Sequence, residues 1–312
     1  GGNFTANVGN DLTANAAVLS HGRATIDAQN VNLNADLMSD KNLAITAKNN
    51  IFTKEGTNLS TKSDGKLKAR TADLGGDVHA DGTLTIETDE HLAAKNITAG
   101  GNATLNAGAE LSAKDVNVGG NADITAGTNL TAHDVRVGGD LNAKAKNITA
   151  NNVTGKGNAV LTADKNVTLA GVFSAKNNAR LTAGETATLG GKTDVGETLT
   201  ANVGRDFVTN GAVTTGQNFV ATVGNNLTTN ETVTTGSDFT ATAGNDFTSN
   251  DKLAAGQNLV ANVGNDFTTN GAVTTGSDFT ATVGNNVTTN NIVTTGGSLA
   301  VKVTNDLTAH AA

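Results

Sequence analysis

A repeat of 20 residues runs through the last third of the chain. Phenylalanine and aliphatic residues recur at this step in two series, and glycines such as Gly204, Gly224 and Gly244 recur with them. The first series is Phe207, Leu227, Phe247, Phe267, Val287 and Leu307, and the second is Phe219, Phe239, Leu259, Phe279 and Leu299. A fixed period of this size is typical of a solenoid, in which each repeat is one structural unit stacked on the next. The repeat therefore favours an extended structural body over a catalytic domain.

Residues 239–258 show how one repeat folds. They contain three short alternating segments, at 239–243, 247–249 and 253–255, separated by Gly, Asn and Asp residues that are typical of turns. Alternation with a period of two residues predicts half-buried strands, and no helical period is present. Equivalent segments recur one repeat later, so we predict an all-β fold, a parallel β-helix with three short strands per coil. Successive coils would lie about 4.8 Å apart.

The alternation also predicts which side chains point inward. Besides the two series above, a third inward column consists of Val213, Val233, Leu253 and Val273. A further column, at a predicted corner, consists of Asn210, Asn230, Asn250, Asn270 and Asn290. One interpretation is a ladder in which stacked asparagines hydrogen-bond along the axis, as in other in-register β stacks. The other is that asparagine is tolerated there because the turn adopts a left-handed conformation.

The repeat continues upstream in a looser form. An apolar column leads into Phe207 at steps of 18 to 20 residues and consists of Leu92, Leu111, Leu130, Ile148, Val167 and Ala187. We therefore predict one β-helix rod of about 15 to 16 coils over residues 1–312. Its coils would be irregular over residues 1–91, 18 to 20 residues long over residues 92–200, and regular with 20 residues over residues 201–312.

Two upstream segments stand out against this pattern. Residues 1–20 restate the coil of residues 276–295, whereas residues 50–80 fit the repeat worst. The poorly fitting segment carries a run of charges, namely Lys54, Glu55, Lys62, Asp64, Lys66, Lys68 and Arg70. We predict a bulged or looped stretch there, whose charges form either a solvated face or a ligand patch.

Composition excludes several classes of function. The chain has no cysteine, which excludes disulfides and cysteine-based metal or nucleophile chemistry. Its net charge of -8 argues against a nucleic-acid partner, because phosphate binding needs clustered Lys and Arg. It has no Trp and no Tyr, so a large core built on big side chains is not expected. No apolar run approaches the roughly 20 residues of a membrane span.

Residues with catalytic chemistry do not form a recognisable constellation. The histidines are scattered singly, and we interpret them as exposed polar positions: His21, His79, His91, His133 and His310. Carboxylates such as Asp206, Asp246 and Asp266 sit beside Gly and Asn, where a role in turns explains them. The calcium-binding nonapeptide GGxGxD is missing. We therefore predict that the chain is not an enzyme, with no catalytic, cofactor-binding or metal-binding residue and no cofactor.

Two other functions of β-helices remain as alternatives. A carbohydrate-active enzyme would need carboxylates and bases in a groove, and the sequence shows no such cluster. An ice-binding protein would need a regular Thr-x-Thr array, but the pairs at 240–242 and 280–282 are interrupted by Val220 and Val260. Sequons begin at Asn3, Asn96, Asn129, Asn166, Asn226 and Asn286. They are either glycan acceptors or a consequence of the coil, which puts Asn in a turn and Thr on the next strand.

Several segments of the sequence resemble the haemagglutinin repeats of filamentous haemagglutinin. The clearest are residues 118–132, which read VGGNADITAGTNLTA, and residues 138–143, which read GGDLNA. The same repeats occur in large exoproteins of two-partner secretion systems, including contact-dependent growth-inhibition toxins. The resemblance covers nearly the whole chain, most clearly residues 92–312, and it is specific to the repeat class.

The resemblance implies both a fold and a function. It implies a right-handed β-helix, secretion to the bacterial cell surface through an outer-membrane partner transporter, and a role in adhesion, virulence or toxin display. We expect a structural shaft that projects a distal domain, which would contact a host or neighbouring cell. Adhesin shaft and toxin-delivery stalk both remain open. Neither chain end, at Gly1 or Ala312, carries an amphipathic cap, and the Asn-Pro motifs of the secretion domain are missing, so we expect a segment of a longer protein.

Overall fold

The computed structural model describes residues 2–310, and every regular element within them is a β-strand. The residues Gly1, Ala311 and Ala312 lie outside the described part, and so do the two chain ends considered above. The chain divides into two compact units, Gly1–Ala150 and Asn151–Ala312. Because the described residues form strands and turns alone, they include no helix that could cross a membrane.

Most strands are three to five residues long, and the longest has 15 residues. The strands before the boundary between the units are β1 (Phe4–Asn7), β2 (Leu12–Ala14), β3 (Val18–Ser20), β4 (Ala24–Ala28), β5 (Val31–Leu33), β6 (Leu37–Ser39), β7 (Leu43–Ala47), β8 (Asn50–Thr53), β9 (Leu59–Thr61), β10 (Gly65–Ala69), β11 (Thr71–Ala80), β12 (Leu84–Thr88), β13 (Leu92–Ala99), β14 (Ala103–Ala107), β15 (Leu111–Val118), β16 (Ala122–Ala126) and β17 (Asn129–Val137). The next strands are β18 (Leu141–Gly155), β19 (Ala159–Leu169), β20 (Phe173–Ala175), β21 (Ala179–Ala183), β22 (Ala187–Leu189), β23 (Thr193–Val195), β24 (Leu199–Val203), β25 (Phe207–Thr209), β26 (Val213–Thr215), β27 (Phe219–Val223), β28 (Leu227–Thr229) and β29 (Val233–Thr235). The last strands are β30 (Phe239–Ala243), β31 (Phe247–Ser249), β32 (Leu253–Ala255), β33 (Leu259–Val263), β34 (Phe267–Thr269), β35 (Val273–Thr275), β36 (Phe279–Val283), β37 (Val287–Thr289), β38 (Val293–Thr295), β39 (Leu299–Val303) and β40 (Leu307–Ala309).

In the second unit the regular strands pair in parallel with their equivalents one period later. Phe207 lies opposite Leu227, Phe219 opposite Phe239, and Val233 opposite Leu253. Three such strands, of five, three and three residues, make one turn, as in β30, β31 and β32. The prediction of an all-β parallel solenoid is confirmed, with about 15 turns in the two units together.

In the first unit the same pairing holds with a variable step. Ala24 lies opposite Leu43, a step of 19, whereas Leu43 lies opposite Gly65, a step of 22. From Leu92 to Leu111 the step returns to 19. The upstream turns are therefore unequal in length. Over residues 84–137 each turn has two strands, one of five residues and one of eight or nine, in place of the three short strands that we predicted for every coil.

The predicted inward columns form the core of the second unit. Phe219 and Phe239 stack with ring centroids 5.0 Å apart and planes 10° apart, and Phe247 and Phe267 stack at 5.0 Å. Phe239 and Phe247 meet edge to face at 6.0 Å, which joins the two columns across the interior. Each of these rings is at most 1% exposed. Burying one such side chain contributes about 1.5–3 kcal/mol, so the columns are a main source of stability.

Glycine recurs at turns where an added β carbon would lie very close to the backbone of the preceding turn. A β carbon at Gly224 would lie 2.0 Å from the carbonyl oxygen of Gly204, and one at Gly244 would lie 2.1 Å from that of Gly224. Among the described residues only Gly56 has a positive φ, at 78°. The interpretation that the corner asparagines occupy left-handed turns is therefore wrong.

The asparagine ladder is confirmed. The Nδ2 group of Asn250 donates to Oδ1 of Asn230 at 2.7 Å, and Nδ2 of Asn270 donates to Oδ1 of Asn250 at 2.8 Å. The same bond joins Asn230 to Asn210 and Asn290 to Asn270. Each amide within the ladder uses one donor toward the preceding turn and one acceptor toward the following turn, so the ladder can extend for as long as the repeat does.

Hydroxyl groups inside the second unit were not predicted. Threonine or serine ends the second strand of several turns on its inner side, at Thr209, Thr229, Ser249 and Thr269, all 0% exposed. Thr229 Oγ1 donates to Ser249 Oγ at 2.9 Å, and Ser249 Oγ donates to the carbonyl oxygen of Asp251 at 2.9 Å. The Oγ1 atoms of Thr209 and Thr269 have no hydrogen-bond partner among the described residues. A buried group without a partner costs about 1–3 kcal/mol, which offsets part of the core's stability.

Residues 50–80 contain the looped and bulged stretch that we predicted. A loop follows β8, and the register between β11 and β13 shifts between Leu74 and Asp77. The Lys54 and Glu55 side chains are exposed, and so are the remaining charges of the run from Lys62 to Arg70. Their exposure is compatible with both interpretations, a solvated face and a ligand patch.

Candidate functional site

The outer surface of the first unit carries two adjacent columns of unlike side chains. The first column, in register on β3, β6, β9 and β11, consists of Leu19, Met38, Ser60 and His79. The second column lies two residues later in each turn and consists of His21, Asp40, Lys62 and Asp81. Together these eight residues line a cavity with a volume of about 520 Å³, which we call the charged cleft. Such a mixture contrasts with the outward column Thr228, Thr248, Thr268 and Thr288 of the second unit.

A network of charges crosses the charged cleft. Asp40 lies between two neighbours: Oδ1 is 2.7 Å from the Lys62 ammonium, and Oδ2 is 2.8 Å from His21 Nδ1. On the next turn His79 Nε2 lies 2.7 Å from Asp81 Oδ1. Leu19 and Met38 are 59% and 48% exposed beside this network. The cleft thus presents an apolar strip next to a row of paired polar and charged side chains.

The electrostatics of the cleft favour charged forms near neutral pH. Hydrogen bonds from Lys62 and then His21 lower the pKa of Asp40 below its ordinary value of 3.8. The hydrogen bond to Asp40 in turn raises the pKa of Lys62 above its ordinary value of 10.5. Asp40 and Lys62 therefore form an ion pair whose two members stabilise each other's charged form.

A second group of titratable side chains lies on β15 and β17. Asp115 and Asp134 are in register on consecutive turns, and His133 Nδ1 lies 3.3 Å from Asp134 and 3.9 Å from Asp115. The three ligand atoms lie within 4.8 Å of one another, close enough for one cation to contact all of them. The Arg136 guanidinium, however, donates to Asp134 Oδ2 at 2.5 Å and already neutralises that carboxylate. The group is therefore described best as an ion-pair network.

The histidines are less isolated than their sequence positions indicated. His21, His79, His91 and His133 each lie within 4 Å of an aspartate carboxylate. Three of them, all but His79, reach an aspartate one turn away along the stack. Exposure was predicted correctly for His21, His79 and His133, whereas His91 is half-buried and the partners were missed. Pairing each histidine with the residues one turn away would have found these three partners. His310 is also exposed.

The turn role that we predicted for the aspartates of the second unit is confirmed. Asp246 Oδ1 accepts hydrogen bonds from Asn265 Nδ2 at 2.8 Å and from the backbone N–H of Asp266 at 3.1 Å. Asp206 and Asp266 accept equivalent bonds from the following turn. These carboxylates therefore cap the turn above them, as a repeated structural element.

The chain was compared with models of protein families, with curated proteins and with solved structures, and none of the three comparisons found a match.

Proposed function

We propose that the chain is the structural shaft of a secreted or surface-displayed bacterial filamentous adhesin, which projects a distal binding or toxin domain. One observation carries the proposal: the second unit repeats the same pairing, core and turn bonds in each period, as in Phe207–Leu227 and Phe219–Phe239. A structure of this kind can be lengthened or shortened by whole turns without a change in its cross-section. The number of turns therefore sets the length of such a structure and leaves its cross-section unchanged.

The outer surface of the second unit supports a role in spacing. The outward position of β28, β31, β34 and β37 is threonine in every case, at Thr228, Thr248, Thr268 and Thr288. These side chains are small, polar and alike, and they form no distinctive recognition surface. The threonine column also ends at Val208, and Val220 and Val260 interrupt the neighbouring array. A regular ice-binding array is therefore disfavoured.

The contacts of the second unit also suit export in an extended form. Each turn bonds to the turns directly before and after it, so folding can proceed by adding turns as the chain emerges. We propose that an outer-membrane partner transporter carries the chain to the cell surface. There the chain would hold a distal domain at a distance from the cell, toward a host or neighbouring cell. The absence of cysteine means that this folding requires no disulfide formation.

The experiment is carried out in cells that produce the parent protein. Antibodies against the second unit should label intact cells, because the proposal places the shaft outside. Deletion of residues 239–258, one whole turn, should leave labelling and cell adhesion close to those of the unaltered protein. Labelling that appears only after permeabilisation would contradict the proposed location. Loss of adhesion with labelling intact would show that this segment itself binds the receptor.

A further inference from the structure

Phe52 is the one phenylalanine among the described residues whose ring is exposed to solvent. The chain has nine phenylalanines and no other aromatic residue of the Trp or Tyr type. Seven of the rings are buried, Phe4 is half-buried, and Phe52 is 44% exposed. It occupies the outward position of β8, in register with Asn32 on one side and Asp73 on the other. Because the regular columns of this chain place phenylalanine inside, its outward position here calls for a separate explanation.

The loop that follows Phe52 is held in one conformation. It belongs to the long turn between Leu43 and Gly65, and Gly56 takes the left-handed φ of 78° within it. The backbone N–H of Gly56 donates to the carbonyl oxygen of Gly75 at 3.0 Å, and the N–H of Gly75 donates to Thr53 Oγ1 at 2.8 Å. A β carbon at Gly75 would lie 2.7 Å from the carbonyl oxygen of Thr53. The loop is therefore fixed closely against β11.

Beside this loop lies a cavity with a volume of about 410 Å³, which we call the Phe52 cavity. Its wall includes Phe52, Glu55 from the loop, and Asp73. The next two outward residues of the same column are small, Ala93 and Ser112, and this leaves the space open. The loop, the ring and the small residues thus form a recess that the regular repeat does not contain.

The charges around the Phe52 cavity have one sign. Glu55 and Asp73 are the charged residues among those that line it. Within the described residues neither carboxylate lies within 4 Å of a lysine or arginine nitrogen, and Asp73 pairs with His91 Nε2 at 3.4 Å. An aromatic ring also attracts cations through its negative face. Ring and carboxylates therefore select a positively charged ligand.

We propose that the Phe52 cavity binds the guanidinium group of an arginine side chain from an extended partner polypeptide. A guanidinium is planar, so it can stack on the Phe52 ring while its N–H groups donate to Glu55 and Asp73. A quaternary ammonium group has no N–H to donate, and a lysine ammonium does not stack. The cavity is open to solvent, which leaves room for the partner's backbone. The inference goes beyond the proposed shaft and does not depend on it.

The test uses the full chain, labelled with ¹⁵N, and two short peptides. One peptide is acetyl-Gly-Arg-Gly-amide, and the other carries citrulline, the neutral isostere, in place of arginine. The arginine peptide should shift the amide resonances of Phe52, Ala93 and Ser112 with saturating behaviour. The citrulline peptide should bind at least about tenfold more weakly, because it lacks the charge-assisted hydrogen bonds. Added salt should weaken only the arginine peptide.

Variants of exposed residues make the test specific. Phe52→Ala and Phe52→Leu should each weaken the arginine peptide about fivefold or more, whereas Phe52→Tyr keeps the ring and should bind normally. Glu55→Gln combined with Asp73→Asn should remove the difference between the two peptides. Met38→Ala, in the charged cleft, is the matched control and should change nothing. Circular dichroism checks that each variant folds.

Three results would overturn the proposal. They are equal binding of the arginine and citrulline peptides, unchanged arginine binding in both Phe52→Ala and Phe52→Leu, and resonance shifts that fall outside the Phe52 cavity. Absence of any shift at peptide concentrations of about 50 mM would overturn it as well, since a complex weaker than this has less than about 2 kcal/mol of binding free energy.

Discussion

Phe247 and Phe267 lie one period apart in the sequence, and their rings stack with centroids separated by 5.0 Å. Their strands, β31 and β34, pair in parallel with these two residues opposite each other. One contact therefore shows how the sequence period becomes a structural turn: residues one period apart are neighbours along the stack. The same relationship explains the hydrogen bonds between asparagines and the close approach of glycines.

Replacing the stacked ring by a charge should unfold this part of the structure. Phe247→Asp places an unpaired carboxylate where the native side chain is 0% exposed. We expect a loss of at least about 3 kcal/mol in the free energy of unfolding, measured by urea denaturation. Thr248→Asp is the matched control, because Thr248 is the adjacent outward residue of the same strand, and it should change little. Equal loss in both variants would show that the assignment of inner and outer faces is wrong.

The asparagine ladder should contribute measurably to stability. Asn250 makes two side-chain hydrogen bonds, one with Asn230 and one with Asn270, so Asn250→Ala removes both. Because the ladder is exposed, we expect a modest loss of about 1 kcal/mol in the same denaturation experiment. Asn262→Ala, at an exposed strand position outside the ladder, should leave stability unchanged. If the two variants behaved alike, the ladder would have no energetic role.

Close approach of the turns predicts that glycine cannot be replaced where turns stack. Gly244→Ala would bring a β carbon to 2.1 Å from the carbonyl oxygen of Gly224. The backbone must move to relieve this contact, and we expect a cost of about 1–3 kcal/mol in thermal or urea unfolding. A β carbon at Gly9 would meet no atom within 4 Å, so Gly9→Ala should be tolerated. A tolerated Gly244→Ala would contradict the spacing.

The ion pairs of the charged cleft predict how Asp40 titrates. Hydrogen bonds from Lys62 and then His21 lower the pKa of Asp40 in the folded protein. Their stabilising effect is therefore present above the ordinary pKa of 3.8 and is lost as the pH falls through the lower, folded-state value. Lys62→Met should raise the pKa of Asp40 toward its ordinary value, and His21→Gln should raise it less. Carbon-13 NMR of the carboxyl group measures this, with Lys68→Met as the control that should leave Asp40 unchanged.

The fold was largely predictable from the sequence because equivalent residues of successive repeats make the same contacts in each turn. Phe219 and Phe239 could be placed in one column from their spacing alone, and the structure stacks them. The asparagine ladder could be named but not separated from a left-handed turn, since both favour Asn. The buried hydroxyl of Ser249 was missed because a polar residue at a strand end is ordinarily exposed, whereas here it bonds within the interior.

Site features were harder to predict because they occur where the period fails. His21 and Asp40 meet across a step of 19 in the first unit, so a strict alignment on the period of the second unit does not pair them. The surroundings of Phe52 depend on how its loop folds over Gly75, which involves backbone hydrogen bonds and not side-chain pattern. The sequence therefore indicated that residues 50–80 are irregular, but it did not predict the Phe52 cavity beside them.

The central claim is that one 20-residue repeat is one interchangeable turn. Deleting residues 239–258 should let Leu259 pair with Phe219 in place of Phe239, since both now pair with Phe239 in the same register. Deleting only residues 239–248 would instead bring unlike positions together and break the register. The measurement is thermal unfolding followed by circular dichroism for the two deletions and the unaltered chain. We predict a β spectrum and a midpoint within a few degrees of the unaltered chain for the deletion of a whole turn, and a large loss for the deletion of half a turn. Equal damage from the two deletions would contradict the claim.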